Sequence, residues 1–481
     1  MPATRRIAGQ LPVPGSSALV PTQFSGNRLA RTSNSRERAD QCRRRKKVRK
    51  ALIKVAATNL ALWGLGLAAS CGCICGNKPT SVGSAPSRSP RQAFDGKPAE
   101  SWRFVVSGDS RNCGDVVMPA IAAGAKVDGA AFYWHLGDLR AIYDFDQDMV
   151  QASKIKGKPL TISDYEKDAW DDFKRNQIAP FENIPLPFYL GIGNHETIPP
   201  KTRCAFVQTF AASLDKPEFQ DGKSNSAQSS RNTKTAPARG LKPSTGDDEK
   251  ADSVPECKQC IECRQLQSKT YYHWNKAGVD FIYLDNASDE EFDQPQLTWF
   301  DGVMKKDADD RTITTVVVGM HKALPWSVTC DHSMNESAAG TQSGEKVYRT
   351  LLDLEKKGKK VYVVASHSHY FMSDIFNTKR WRQEGVLPGW IIGTAGAQRY
   401  PLPPGADLTK SKTYVYGYLL GRVYSDGTID FAFTELKESE IPTDVKSRYT
   451  EPWITEACFD GNRKTDVSPE PEYCKDNAVK Q

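Results

Sequence analysis

"PLPFYLGIGNHETIPP", residues 185–200, carries an apolar run through two glycines into Asn194, His195 and Glu196. A short apolar run bounded by proline and glycine reads as a buried strand, which puts the amide, imidazole and carboxylate at its carboxyl end. Loops also carry Asn and His for ordinary reasons. The stretch alone is therefore either a decorated turn or part of a metal site, and the residues that end the other apolar runs bear on the choice.

Each of four further runs ends in a similar way. "RFVVSGDS" (103–110) reaches Asp109 and "AFYWHLGDL" (131–139) reaches Asp138. "TTVVVGMHK" (314–322) reaches His321, and "VYVVASHSH" (361–369) reaches His367 and His369. Four of the seven histidines fall at these ends. In open α/β sheets the ligand crevice lies beyond the carboxyl ends of the strands, so positions far apart in sequence can converge there. Any one of these residues alone would read as a loop or core group. Together, carboxylate, amide and imidazole donors suit divalent or trivalent metal ions.

The 481 residues suffice for a large domain with insertions, and 39% hydrophobic with 26% charged residues is ordinary globular usage. The net charge of +7 does not imply a nucleic-acid partner, because "RRRKKVRK" (43–50) carries seven positive charges by itself.

That basic run precedes "ALIKVAATNLALWGLGLAAS" (51–70) and "CGCICG" (71–76), the order of an export signal. The apolar stretch is short against the roughly 20 residues of a membrane-spanning helix. "LAASC" is similar to a bacterial lipoprotein signal with Cys71 as lipid acceptor, and an uncleaved signal anchor is the other reading. Export to a bacterial periplasm or envelope, with membrane association through this segment, is the expectation. Residues 1–42 read as an over-long start or an unstructured extension, and 77–100 as a flexible linker.

The eight cysteines beyond the signal region form an even set, which fits disulfides in an exported chain. "CKQCIEC" (257–263) with Cys204 has the composition of a thiolate zinc site as well, although oxidation on export favours disulfides.

From 101 to 437, apolar runs alternate with helical periodicity, the pattern of an α/β layered domain. Helices are predicted at 163–177, 294–305 and 345–357, with Leu297, Phe300 and Met304, and Val347, Leu351 and Leu354, on single faces. Residues 215–255 are nearly free of apolar side chains and read as a disordered insertion, and 438–481 as a polar tail tied down by Cys458 and Cys474.

The ordered set of strand ends resembles the calcineurin-like metallophosphoesterase superfamily, whose blocks run D-x-H (D-x-G in purple acid phosphatases), G-D, G-N-H-[DE], a lone His and G-H-x-H. "GNHE" is the most specific match, and the resemblance spans about 104–369. It implies an α/β fold built as a four-layer α/β/β/α sandwich of two mixed sheets. By position, it implies that Asp138 bridges two metal ions, that Asn194, His321 and His367 complete one, and that Asp109 and His369 bind the other. His195 would face substrate phosphate and Glu196 would orient it. The cofactor would be two divalent or mixed-valence ions, Fe, Mn or Zn, or one ion only. Two cations about 3.5–4 Å apart acidify a shared water and clamp phosphoryl oxygens. The function implied is an exported phosphomonoesterase or phosphodiesterase acting on a small-molecule or lipid phosphoester. The alternative is a non-catalytic envelope or binding protein that keeps the fold with a degraded metal site.

Two blocks depart from the pattern. Arg111 stands where the family has His or Gly, and Ala141 where purple acid phosphatases place an iron-binding tyrosine, with Tyr143 two residues on. One metal position is thereby short of a ligand. Asn112, Tyr143 or water fills it, the site holds one tight metal, or cationic Arg111 replaces a metal charge in binding substrate. The expectation favours water or a neighbouring side chain. His135 reads as a core or supporting group, His273 and His332 as strand and loop residues, and Arg399 and Tyr400 as pocket rim or structural turn. Asp115 lies near the start of a helix whose N-terminus could face phosphate.

Overall fold

The structure is a computed structural model that describes residues 99–142, 144–219, 269–288, 290–466 and 474. The expectations for the export segment, the start, most of the linker and the cluster at Cys257, Cys260 and Cys263 lie outside these residues.

Among the described residues, twelve strands form two mixed sheets. The first contains β1 (Glu100–Ser107), β2 (Ala130–His135) and β3 (Phe188–Leu190). The second contains β4 (Tyr272–Lys276), β5 (Val279–Leu284), β6 (Thr315–Met320), β7 (Lys360–Ala365), β8 (Phe371–Ser373), β9 (Gly389–Ile392) and β10 (Ser411–Lys412). The chain then returns to the first sheet with β11 (Tyr416–Tyr424) and β12 (Ile429–Leu436). The orders are β12-β11-β1-β2-β3 and β10-β8-β9-β7-β6-β5-β4. β1, β2 and β3 run parallel, as do β5, β6, β7 and β9, whereas β11 is antiparallel to both β1 and β12.

The period of two along each strand decides which layer a side chain enters. Val317 joins Phe104, Phe132, Trp134 and Phe281 in the core between the sheets, and Phe104 and Phe281 meet edge to face at 5.1 Å. Their alternates Val316, Val318 and Met320 pack with α-helical Leu297, Phe300, Val347 and Leu351 on the other side.

The helices follow the predicted periodicity with two differences. α1 (Gly114–Val127) covers the first sheet, and α2 (Gln147–Ile155) and α3 (Ile162–Phe173) follow it. The predicted 163–177 helix is α3 plus a wider π turn, Lys174–Ile178. α4 (Gln294–Asp309) has Asp293 as its N-cap, accepting from the Gln296 N–H. α5 (Ala338–Lys356) starts seven residues before the predicted 345. Ser337 caps it by accepting from the Gly340 N–H, and the small polar residues of its first two turns carry no apolar period to announce a helix.

Two boundary expectations change. Residues 215–219 belong to the folded body, because Phe219 is buried and stacks on Tyr272 at 4.1 Å. The segment read as a polar tail is helical at Thr443–Tyr449 and Ile454–Gly461, and it buries Val445, Tyr449 and Ile454 in the main core. Cys113–Cys458 and Cys330–Cys474 are disulfides, and Cys204 is disulfide-bonded too, which removes its thiolate from a zinc site. Among the described residues, no helix is long and apolar enough to cross a membrane.

Candidate metal centre

The five strand ends meet at one edge of the two sheets. Asp109, Asp138 and His369 form one group of potential ligands and Asp138, His321 and His367 another, the ligand atoms of each group lying within 4.8 Å of one another. Asp138 is shared. The loops holding them are locked by backbone bonds: the Asp109 N–H donates to the Gly137 carbonyl and the Ser110 N–H to the Asp138 carbonyl, both at 2.9 Å. Asp109, Asp138 and His367 have φ of 61°, 60° and 67°, a left-handed conformation costly for residues with a β-carbon. Strain at three clustered polar residues is a usual mark of a functional site.

The two glycines ahead of Asp138 and Asn194 let these loops touch. A β-carbon on Gly193 would lie 2.3 Å from both the backbone N and Oδ1 of Asp138, and one on Gly137 would lie 2.4 Å from the Gly193 N.

The hydrogen bonds around these groups leave room for a cation. His321 Nδ1 lies 3.0 Å from the Leu136 carbonyl, so it carries the proton and leaves Nε2 as a lone pair. That lone pair faces Asn194 Oδ1 at 2.9 Å, His367 Nδ1 at 3.1 Å and Asp138 Oδ1 at 3.3 Å. Two oxygen acceptors and an imidazole lone pair thus converge with a second imidazole, an arrangement that a cation satisfies. The donor set fits a divalent metal. Asp109 Oδ1 and Asp138 Oδ2 are also buried without a hydrogen-bond partner, which native structures rarely tolerate without a functional cause.

The other group differs. His369 Nδ1 lies 2.7 Å from the Gln398 carbonyl and donates to it, leaving Nε2 as the lone pair. Arg111 Nη2 lies 3.2 Å from that Nε2, Arg111 Nη1 lies 2.5 Å from His195 Nε2, and Arg111 Nε lies 3.8 Å from Asp138 Oδ2. The guanidinium therefore sits among the second group of ligands. Of the neighbours expected to take the place, Asn112 turns its Oδ1 to accept the Gln398 N–H at 3.2 Å, and Tyr143 lies outside the described residues.

Burial sets the protonation states. It pushes Asp109 up to about 7, a penalty that a cation beside its carboxylate offsets. Burial acts on Asp138 in the same direction, but the positive charge beside it, Arg111 above all, prevails and holds it well below the usual range. His195 is pushed down to about 3, chiefly by burial, so it is a neutral ring that accepts from Arg111, not a cation.

Glu196 has a different task from orienting His195. Oε2 accepts the N–H groups of Gly193 at 2.7 Å and Asp138 at 2.9 Å, and Oε1 accepts that of Leu139 at 2.9 Å. Both oxygens are thus committed to backbone, and the carboxylate clamps the Asp138 loop to the Asn194 loop. His195 is positioned through its own N–H, which donates to Asp138 Oδ1 at 3.0 Å.

Other candidates sort by contact. His135 is fully buried, accepting from the Gly137 N–H at 3.1 Å and pairing with Ser110 Oγ at 3.0 Å. His273 pairs with Asp280 at 2.8 Å, away from the centre. Arg399 is structural: it donates to the carbonyls of Tyr414, Cys458, Phe459 and Asn462. Tyr400 packs its ring 4.1 Å from that of His369 and lines a cavity of about 550 Å³ that reaches Arg111.

Two features of the site have no clear signal in the sequence. His332 brings its ring to 5.8 Å from both His367 and Tyr400, although it sits in a loop with no pattern to mark it. Arg140 is wholly buried and pairs with Asp115, Asp146, Asp148 and Asp172. Asp115 at the start of α1 faces this cluster; no periodicity announces it, though the acidic spacing after Asp138 is a weak signal.

The two mixed sheets and the donors at their strand ends are those expected from the resemblance to the calcineurin-like metallophosphoesterases. No protein-family model and no curated protein matches the sequence. Among solved structures, the chain is similar to the purple acid phosphatase PPD1 from yellow lupin (Lupinus luteus) seeds, at 13% identity and a TM-score of 0.40 over 72% of this chain. The match spans 56% of the lupin protein's length. GAP50, the anchor in the inner membrane complex of Plasmodium, is similar at 12% identity and a TM-score of 0.39, covering 76% of this chain and 97% of that one. A dimetal phosphatase from Danio rerio is similar at 11% identity and a TM-score of 0.37, covering 70% and 96%.

Proposed function

We propose that the protein is a metal-dependent phosphoester hydrolase. The observation that carries this reading is the convergence of Asp138, Asn194, His321 and His367, with His321 Nδ1 turned to the Leu136 carbonyl and its Nε2 facing the other three residues. These four residues would hold a metal ion, with Asp109 and His369 beside them. A bound divalent ion supplies Lewis-acid charge for phosphoryl oxygens and for activating water. Arg111 and His195 face the same space and offer N–H donors and a neutral imidazole to the phosphoryl group. The test is hydrolysis of a generic phosphomonoester and phosphodiester with added Mn²⁺, Fe or Zn²⁺. Activity should vanish in chelator and in Asp138→Asn; activity persisting in both would overturn the reading.

Arg111 among the second group of ligands favours one rival, a fold-retaining protein that binds without catalysis. Metal content decides: a folded chain that takes up no ion from excess Zn²⁺ or Mn²⁺ supports the rival.

We further propose that the protein is exported and attached to the envelope through its N-terminal segment. The disulfides Cys113–Cys458 and Cys330–Cys474 support an oxidising compartment. Recovery of these cysteines as free thiols from a cytoplasmic fraction would overturn it.

A further inference from the structure

We propose that Arg111 stands in for a second metal ion: the chain holds one ion, at Asp138, Asn194, His321 and His367, and the Arg111 guanidinium supplies the other positive charge to phosphate. This rests on the metal-dependent reading above and specifies the composition of its site.

A neutral imidazole with one nitrogen protonated has a single lone pair to give. His369 donates through Nδ1 to the Gln398 carbonyl, and its Nε2 lone pair is met by Arg111 Nη2 at 3.2 Å. An ion bound by His369 would need that same lone pair. It would also sit beside a guanidinium that stays protonated at any ordinary pH, and like charges at such separations repel.

The guanidinium is fixed in place. Arg111 is 8% exposed, with Nη1 at 2.5 Å from His195 and Nε at 3.8 Å from Asp138. The cavity of about 550 Å³ that reaches it is also lined by Asn112, Asp144, Lys154, Gln398 and Tyr400, so its rim carries both charges and the guanidinium is the cation placed beside the metal ligands. A planar guanidinium matches two phosphoryl oxygens at once.

Metal counting on the full chain tests this without reading activity. The protein is loaded with Mn²⁺, desalted, and measured for bound metal and for its electron paramagnetic resonance spectrum. Wild type should retain one equivalent with the spectrum of a magnetically isolated ion. Arg111→His, which supplies an imidazole and removes the charge, should retain two with an exchange-coupled spectrum. Arg111→Ala guards against a misfolded His variant: loaded with one equivalent of Mn²⁺, it should bind inorganic phosphate at least about tenfold more weakly in calorimetry. Two coupled ions in wild type would overturn the inference while leaving the hydrolase reading standing. No ion in folded wild type would overturn the metal reading itself. An unchanged phosphate affinity in Arg111→Ala would remove Arg111 from substrate binding.

Discussion

Glu196 Oε2 accepts the backbone N–H of Asp138 at 2.9 Å, joining two strand-end loops 58 residues apart. With Gly193 and Leu139 as its other donors, this carboxylate fixes the backbone from which the shared aspartate projects. Glu196→Gln keeps one acceptor oxygen and turns an N–H donor toward a backbone N–H. Metal affinity should fall about 10–100-fold, the usual loss when support behind a ligand is removed. Zinc titration of wild type and variant measures it, and an unchanged affinity would show that the clamp does not govern Asp138.

Gly193 makes a second prediction. A methyl group there would overlap the backbone N and Oδ1 of Asp138, each 2.3 Å from the ideal β-carbon. Gly193→Ala should cost about 1–3 kcal/mol of stability through overpacking. It should also lower Mn²⁺ retention, whereas Gly302→Ala, in the middle of α4 with open space around it, should leave retention unchanged and raise stability by about 0.5–1 kcal/mol. Urea unfolding midpoints and metal content after desalting decide.

The buried Arg140 cluster predicts a pH dependence. Burial, opposed by Arg140, pushes Asp115 from its ordinary 3.8 up to about 6, so the folded protein holds this proton more tightly than the unfolded chain. Its contribution is therefore complete below the ordinary value and is lost as pH rises through about 6. Asp115→Asn removes the titration. From about pH 4 to pH 7, wild type should lose stability relative to the variant. Denaturant curves across that range would show the slope, and parallel curves would refute it.

The Cys113–Cys458 bridge ties the C-terminal helices to the start of α1, across a separation of 345 residues. Cys458→Ser should destabilise the protein by about 2–5 kcal/mol. Thermal unfolding with and without reductant measures this: reductant should lower the wild-type midpoint by more than it lowers the variant's. Equal shifts would place the stabilisation in another bridge.

Much of the site is legible in the sequence because its residues end strands. An apolar run that stops at a polar residue marks both the strand and its carboxyl end, and a parallel sheet aligns such ends along one edge. Asp109, Asp138, Asn194, His321, His367 and His369 are all marked in this way, and β6 and β7 align His321 with the His367 turn through the Met320–Ala365 register. His332 and the Arg140 partners are not legible. They sit in segments with no period, and their neighbours come from other elements.

The sequence by itself determined the strands that lead to the site, the principal helices and which polar residues end those strands, because side-chain periodicity and turn chemistry are local. Tertiary structure decided what those residues do. Glu196 became a backbone clamp because Asp138 folds against Gly193, and Arg111 entered the site because the His369 lone pair and His195 both lie within its reach. Which partner receives a proton or a charge depends on distances across the chain, and no local pattern encodes those.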